Sequence, residues 1–182
     1  MRLTIQTLDS APADSRPIME AIAADLGLVP NLAATAATSP ALLAGFDGLR
    51  RAVASTKLDP VLREVAGLAV GVAVDNHYGV AFHSTMLASL GLDEADIDAM
   101  RQGHAPSDAT AAATHQLARE VVLARGEVAD ATITQATESG LDSEAILEIV
   151  LEATFAGLVG TIDNLADHVD LDEFLAPRAW KT

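Results

Sequence analysis

The chain has 182 residues, 26 acidic against 11 basic for a formal charge of −15, and it is 50% apolar but only 3% aromatic. A surface so acidic repels phosphate backbones and anionic headgroups, which removes nucleic acid and membrane surfaces from the candidate partners. With no cysteine present, disulfides, thiolate metal centres and thiol nucleophiles are excluded.

This length suits one domain, taken as residues 1–182. The apolar content is mostly Ala, Leu and Val, which favours close-packed helices, and so much of it on a short chain points to burial against a second copy. Met1 to Gln6 shows no basic stretch leading into an apolar one, so no signal peptide is expected and the protein reads as cytoplasmic. The longest unbroken apolar runs, such as Val65 to Val74, reach about half a bilayer span.

In chain order, Asp14-Ser15 before Pro17 marks a helix start, and Gly27 its end. Val29-Pro30-Asn31 breaks the chain before a short helix over Leu32 to Ala37. Ser39-Pro40 opens the next helix, with Leu42, Leu43, Phe46, Leu49 and Val53 at helical spacing. Asp59-Pro60 starts a helix to Val74, and Asp75-Asn76 caps another from His77 to Leu90. A short amphipathic helix follows from Asp93, then a long one over Asp108 to Arg125 and a shorter one over Asp130 to Ser139. Asp142-Ser143 starts the last, to about Val169, and it is apolar nearly all round between Ala145 and Ile162, as a central or interfacial helix would be. The tail from Asp170, with Pro177 and Trp180, reads as irregular chain. Leu3 to Ile5 alternates but is too short for a strand. The expectation is an all-α bundle of about eight helices.

Leu58 to Ile97 carries the side chains with chemistry. Glu64 lies one turn after Pro60 among Val65, Ala66, Leu68 and Ala69. Desolvation there would favour its protonated form; the plainer reading is an exposed glutamate favoured by the helix dipole. His83, beside Phe82, is either a satisfied structural histidine or an imidazole oriented by a carboxylate for proton transfer. At the start of the same helix, Asn76 is a good cap and Gly79 has no side chain. First-turn N–H groups there could face a space suited to a carboxylate or enolate oxygen, lined by His77 and Tyr78, or Gly79 merely permits close packing. His77 and His83 are six apart and leave the helix on nearly opposite sides, which argues against a metal held by His77, Glu64 and His83. His104 and His115 read as surface residues, and His168 as a residue that could approach a pocket at an oligomer interface.

The succession of Glu64, an apolar run, Asn76-x-x-Gly79, His83 and then Gly91-Leu92-Asp93-Glu94-Ala95-Asp96-Ile97 resembles the carboxymuconolactone decarboxylase and AhpD-like family. Glu64 stands where that family has its proton-relay glutamate, and His83, 19 residues on, where it has its histidine. Tyr78 matches the aromatic before the second cysteine of the family's Cys-x-x-Cys pair. Asn76 and Gly79 occupy the two cysteine positions, so a peroxidase cycling through a disulfide has no atoms to use. Val29-Pro30-Asn31-Leu32, Ser39-Pro40, Gly140 to Glu148 and Asn164 extend the likeness along most of the chain.

The resemblance implies an AhpD-like bundle in a homo-oligomer, a trimer or hexamer, with neighbouring subunits completing the pocket. Because the family includes decarboxylases of a lactone acid that work without the cysteine pair, it also implies a cofactor-free, metal-free acid–base enzyme with lyase, isomerase or lactone-type chemistry. The substrate would be a small carboxylated molecule, with Glu64 and His83 moving protons and Asn76, His77, Tyr78 and Gly79 binding it. The alternative is an inactive relative kept for binding or assembly.

Overall fold

The computed structural model describes residues 3–181. Those residues form nine α-helices and no strand: α1 (Arg16–Leu26), α2 (Asn31–Ala36), α3 (Pro40–Ala54), α4 (Pro60–Ala73), α5 (His77–Ser89), α6 (Glu94–Arg101), α7 (Ala109–Leu123), α8 (Asp130–Glu138) and α9 (Ser143–Leu165). The polar residues that punctuate the sequence act as caps. Ser39, Asp59, Asn76, Asp93, Asp108 and Asp142 each accept a backbone N–H from the first turn of the helix they precede, worth about 1 kcal/mol apiece.

α9 stops at Leu165, short of the expected Val169, because its own Asp163 turns the chain. The Asp163 carbonyl accepts the His168 N–H at 2.9 Å, and its carboxylate accepts that of Val169 at 2.8 Å. Asp167 and His168 take left-handed φ angles of 62° to make the turn.

α4 lies at the centre, buried without a break from Glu64 to Gly71, with α5, α7 and α9 packed around it. The fully apolar run in the sequence follows from that position, since no side of this stretch meets water. α9 is long and apolar enough by composition to cross a bilayer, yet here it packs one face against α3, α4, α5 and α7 and buries Glu152 and Asp163 on that face. Gly160 brings it close to the α4–α5 turn, where a Cβ would stand 2.6 Å from Val74 Cγ2. Asn164 Nδ2 donates to the Val74 carbonyl at 2.7 Å alongside.

The tail is tied down more firmly than its composition suggests. Asp172 accepts the Asn31 N–H and the Tyr78 hydroxyl, Arg178 pairs with Glu94 at 2.6 Å, and Trp180 Nε1 donates to the Arg101 carbonyl at 3.1 Å. Asp172 thereby ties the tail to the start of α2 and to α5, and a cavity lies beside these elements.

Candidate active site

α4 and α5 bring Glu64 and His83 together: His83 Nδ1 and Glu64 Oε2 are 2.8 Å apart, and both side chains are buried. The approach depends on Gly67, one turn after Glu64. A Cβ at that position would stand 2.1 Å from His83 Cε1, so the imidazole lies on bare helix backbone. Arg63 Nε donates to the other Glu64 oxygen at 3.2 Å. On the far side of the ring, His83 Nε2 is 3.9 Å from Glu152 Oε1, close in charge terms but too long for a direct hydrogen bond. Glu152, on α9, is 3% exposed.

The two carboxylates differ in charge state. Burial opposes ionisation of Glu64, but the hydrogen bond and charge of His83, helped by Arg63, outweigh it and hold the carboxyl below its ordinary range. This reverses the protonated state expected from its apolar neighbours. Burial likewise opposes the His83 imidazolium, and the hydrogen bond and charge of Glu64 with the charge of Glu152 outweigh it, so the ring sits above the usual imidazole value. Glu152 has no hydrogen-bond donor of its own. Burial, reinforced by the charge on Glu64, pushes it up to about 7. An ionised Glu64 must accept from Nδ1–H, which fixes the tautomer and leaves Nε2 as the working atom. One carboxyl ionised and its neighbour poised near neutrality is the pattern that separates acid and base roles.

His83 also reaches a partly enclosed cavity of about 100 Å³ between α1–α3, α5, α9 and the tail. The protein has four Phe and one Tyr; Phe46, Phe82, Phe155, Phe174 and Tyr78 all line this one space. Phe46 and Phe155 meet at 5.2 Å between ring centroids, and Phe82 stands edge-on to His83. The charged lining residues are His83 and Arg50, and Arg50 already pairs with Asp25 and Asp47 at 2.8 and 2.7 Å.

Of the other expected site residues, Gly79 and Tyr78 line the cavity, while Asn76 and His77 are not among its lining. The Tyr78 hydroxyl is committed to Asp172, and burial together with that carboxylate pushes the phenol far above its ordinary range, so its ring alone faces the space. The open anion cradle expected at the start of α5 is filled from within. Asp163, fully buried, accepts the His77 and Tyr78 N–H groups at 2.9 and 3.3 Å, and Asn76 Oδ1 accepts that of Gly79 at 2.8 Å. Asn76 Nδ2 occupies the place of a Gly79 side chain, 2.2 Å from where a Cβ would be. The helix dipole does attract a carboxylate, but it is the protein's own.

His115 differs from expectation. His115 is buried rather than exposed, with Nδ1 unpartnered, and burial with the Arg119 charge pushes it down to about 4. His77 and His168 stack on each other outside the cavity, at 3.7 Å between centroids. Glu152 and Asp163 were missed. Each is an acid that falls on the buried, mostly apolar face of α9, and that placement was the available signal.

Residues 40–122 match the Carboxymuconolactone decarboxylase family, a span that runs from α3 into α7 and holds Glu64, Gly67, Tyr78, Gly79 and His83. The chain carries this family's segment without the cysteine pair, since it contains no cysteine. Its fold is that of AhpD-core proteins. A peroxidase-related protein of Ralstonia eutropha JMP134 with that core superposes with a TM-score of 0.79 at 24% identity, over 96% of this chain and 94% of the other. A peroxidase-related protein of Silicibacter sp. TM1040 does so with 0.74 at 18%, over 96% and 93%. The debrominase Bmp8, solved in complex with 2,3,4-tribromopyrrole, gives 0.76 at 16%, over 98% and 95%. Comparison with curated proteins gives no match.

Proposed function

We propose that the protein is a cofactor-free proton-transfer enzyme, decarboxylase- or isomerase-like, acting on a small planar ring compound. The observation that carries this reading is His83, held between two buried carboxylates and opening on a cavity to which a chain poor in aromatics commits every Phe and its Tyr. Such a pocket accepts a flat apolar body, and a fold relative is known in complex with a small halogenated ring.

His83 is the catalytic residue. As the imidazolium it protonates from Nε2 the carbon left with an electron pair when a C–CO₂ bond breaks; as the free base it takes a proton that is returned elsewhere on the ring. Glu64 positions it and stabilises the charged form, and Glu152, with its carboxyl 3.9 Å from Nε2, exchanges the proton with that atom once the two close to hydrogen-bond distance. A substrate carboxylate has Arg50 to meet along the wall, at the cost of loosening its bonds to Asp25 and Asp47.

The reading is tested with a panel of small cyclic keto acids and lactone acids in D₂O, following carbon dioxide release and deuterium uptake by NMR. His83→Gln is expected to lower the rate at least about 100-fold. Equal turnover in the variant contradicts the assignment, and binding without turnover anywhere favours the inactive-relative reading. We also propose the homo-oligomer, trimer or hexamer. α9 leaves Leu147 and Leu165 68% and 60% exposed, apolar surface that a second copy would cover; light scattering giving a monomer at micromolar concentration contradicts it.

A further inference from the structure

At the start of α5, on a different face from His83, three side chains from two distant parts of the chain converge. One ligand atom from each of Asp75, His77 and His168 lies within 4.8 Å of the other two. Asp75 and His77 flank the cap of α5, and His168 follows the end of α9. The two imidazoles are stacked face to face, 10° from parallel, and the Asp75 carboxylate is 3.7 Å from His77 Nε2.

The geometry points to a binding site for one divalent transition-metal ion of the zinc, nickel or copper type, with Asp75, His77 and His168 as ligands and water completing the shell. Imidazole nitrogen with a single carboxylate is the donor set those ions prefer over calcium or magnesium. The outer shell is also built. Asp163, fully buried, accepts from His168 Nδ1 at 3.1 Å, which leaves Nε2 with its lone pair outward, the carboxylate–histidine arrangement that orients metal-binding rings. The same Asp163 oxygen accepts the His77 N–H, so one carboxylate fixes both histidine-bearing segments.

Backbone strain collects here as well. Among the described residues, five other than glycine have positive φ, and four of them are Asp75, Asp167, His168 and Lys181. The turns that hold the cluster are thus ones the sequence maintains against a local cost. Lys181 Nζ bonds Asp75 Oδ1 at 2.6 Å, so a cation already sits on this carboxylate and would be displaced by the ion. Binding requires the stacked rings to splay so that both lone pairs meet at one point.

The protein carries its own reporter. Trp180, the sole tryptophan, stands edge-on to His77 at 5.3 Å between centroids. In tag-free full-length protein, Ni²⁺ or Cu²⁺ is expected to quench Trp180 fluorescence saturably at one ion per chain. His77→Ala and His168→Ala should each weaken the midpoint at least about tenfold, and Lys181→Ala should tighten it. Substoichiometric Ni²⁺ should broaden the ring resonances of His77 and His168 before those of His83, His104 and His115, a readout on the wild-type chain that does not depend on how the variants fold. Quenching with the same midpoint in both histidine variants, or broadening that begins at other histidines, overturns the site.

Discussion

His77 and His83 leave α5 on different faces, about 120° apart by helical periodicity, and the two faces treat an imidazole differently. His83 is enclosed: one nitrogen is taken by Glu64, the other faces Glu152, and bare backbone at Gly67 receives the ring. His77 is half-buried, stacked on a second histidine and beside the Asp75 carboxylate. The difference comes from what lies across from each face. The inner face of α5 meets α4 and α9, whose carboxylates are sealed from water and therefore set proton affinities strongly. The outer side meets chain ends and solvent, where water screens charge and leaves donor atoms free. One helix of 13 residues thus holds one imidazole sealed between carboxylates and another at the surface beside a second histidine.

That contrast predicts unequal costs of truncation. Glu64→Ala strips the counter-charge from a buried ring and is expected to lose about 3–5 kcal/mol, whereas His168→Ala removes a part-exposed side chain from an Asp163 that keeps three backbone N–H donors and should lose less than about 1 kcal/mol; urea unfolding at pH 6 measures both. Comparable losses would erase the distinction between the two sides.

Next in size is a pH-dependent effect at Glu152. Its carboxyl rises from 4.5 to about 7 on folding, so the native chain holds the proton more tightly than the unfolded one. The stability this provides is complete below pH 4.5 and is lost as the pH climbs through 7. Glu152→Gln cannot ionise and should be the more stable protein at pH 8 by on the order of 2–4 kcal/mol, with the gap closing toward pH 4.5. A gap that widens in acid would mean Glu152 is ionised in the fold.

Gly67→Ala should have a smaller effect, about 1–3 kcal/mol, because the new Cβ displaces the imidazole. The His83 ring resonances should move in the variant while those of His77 and His168 stay in place.

Much of the fold was legible because it rests on local rules. Caps at Ser39, Asp59, Asn76, Asp93, Asp108 and Asp142, with proline in the first turn after two of them, mark helix starts without reference to the rest of the molecule. The α9 end was not legible, since Asp163 terminates the helix through a long-range role at the α5 start. For the site, Glu64 and His83 stood out through the family resemblance, while residue type alone left each open to a structural role, and their charge states were not legible. Apolar neighbours suggested a protonated Glu64, and only the facing imidazole reverses that. The aromatic cavity was invisible as well, since its rings come from α3, α5, α9 and the tail and meet only in three dimensions. The anion expected at the helix start proved to be Asp163, 86 residues from His77.

The account stands on the state of His83, and histidine NMR titration of the ¹⁵N-labelled protein reads it directly. His83 is predicted to titrate above the ordinary imidazole range with Nδ1 protonated throughout, and Glu64→Gln should bring its midpoint down. A His83 that titrates at or below the ordinary value, or that ignores the loss of the Glu64 charge, would contradict the proposed proton-transfer centre.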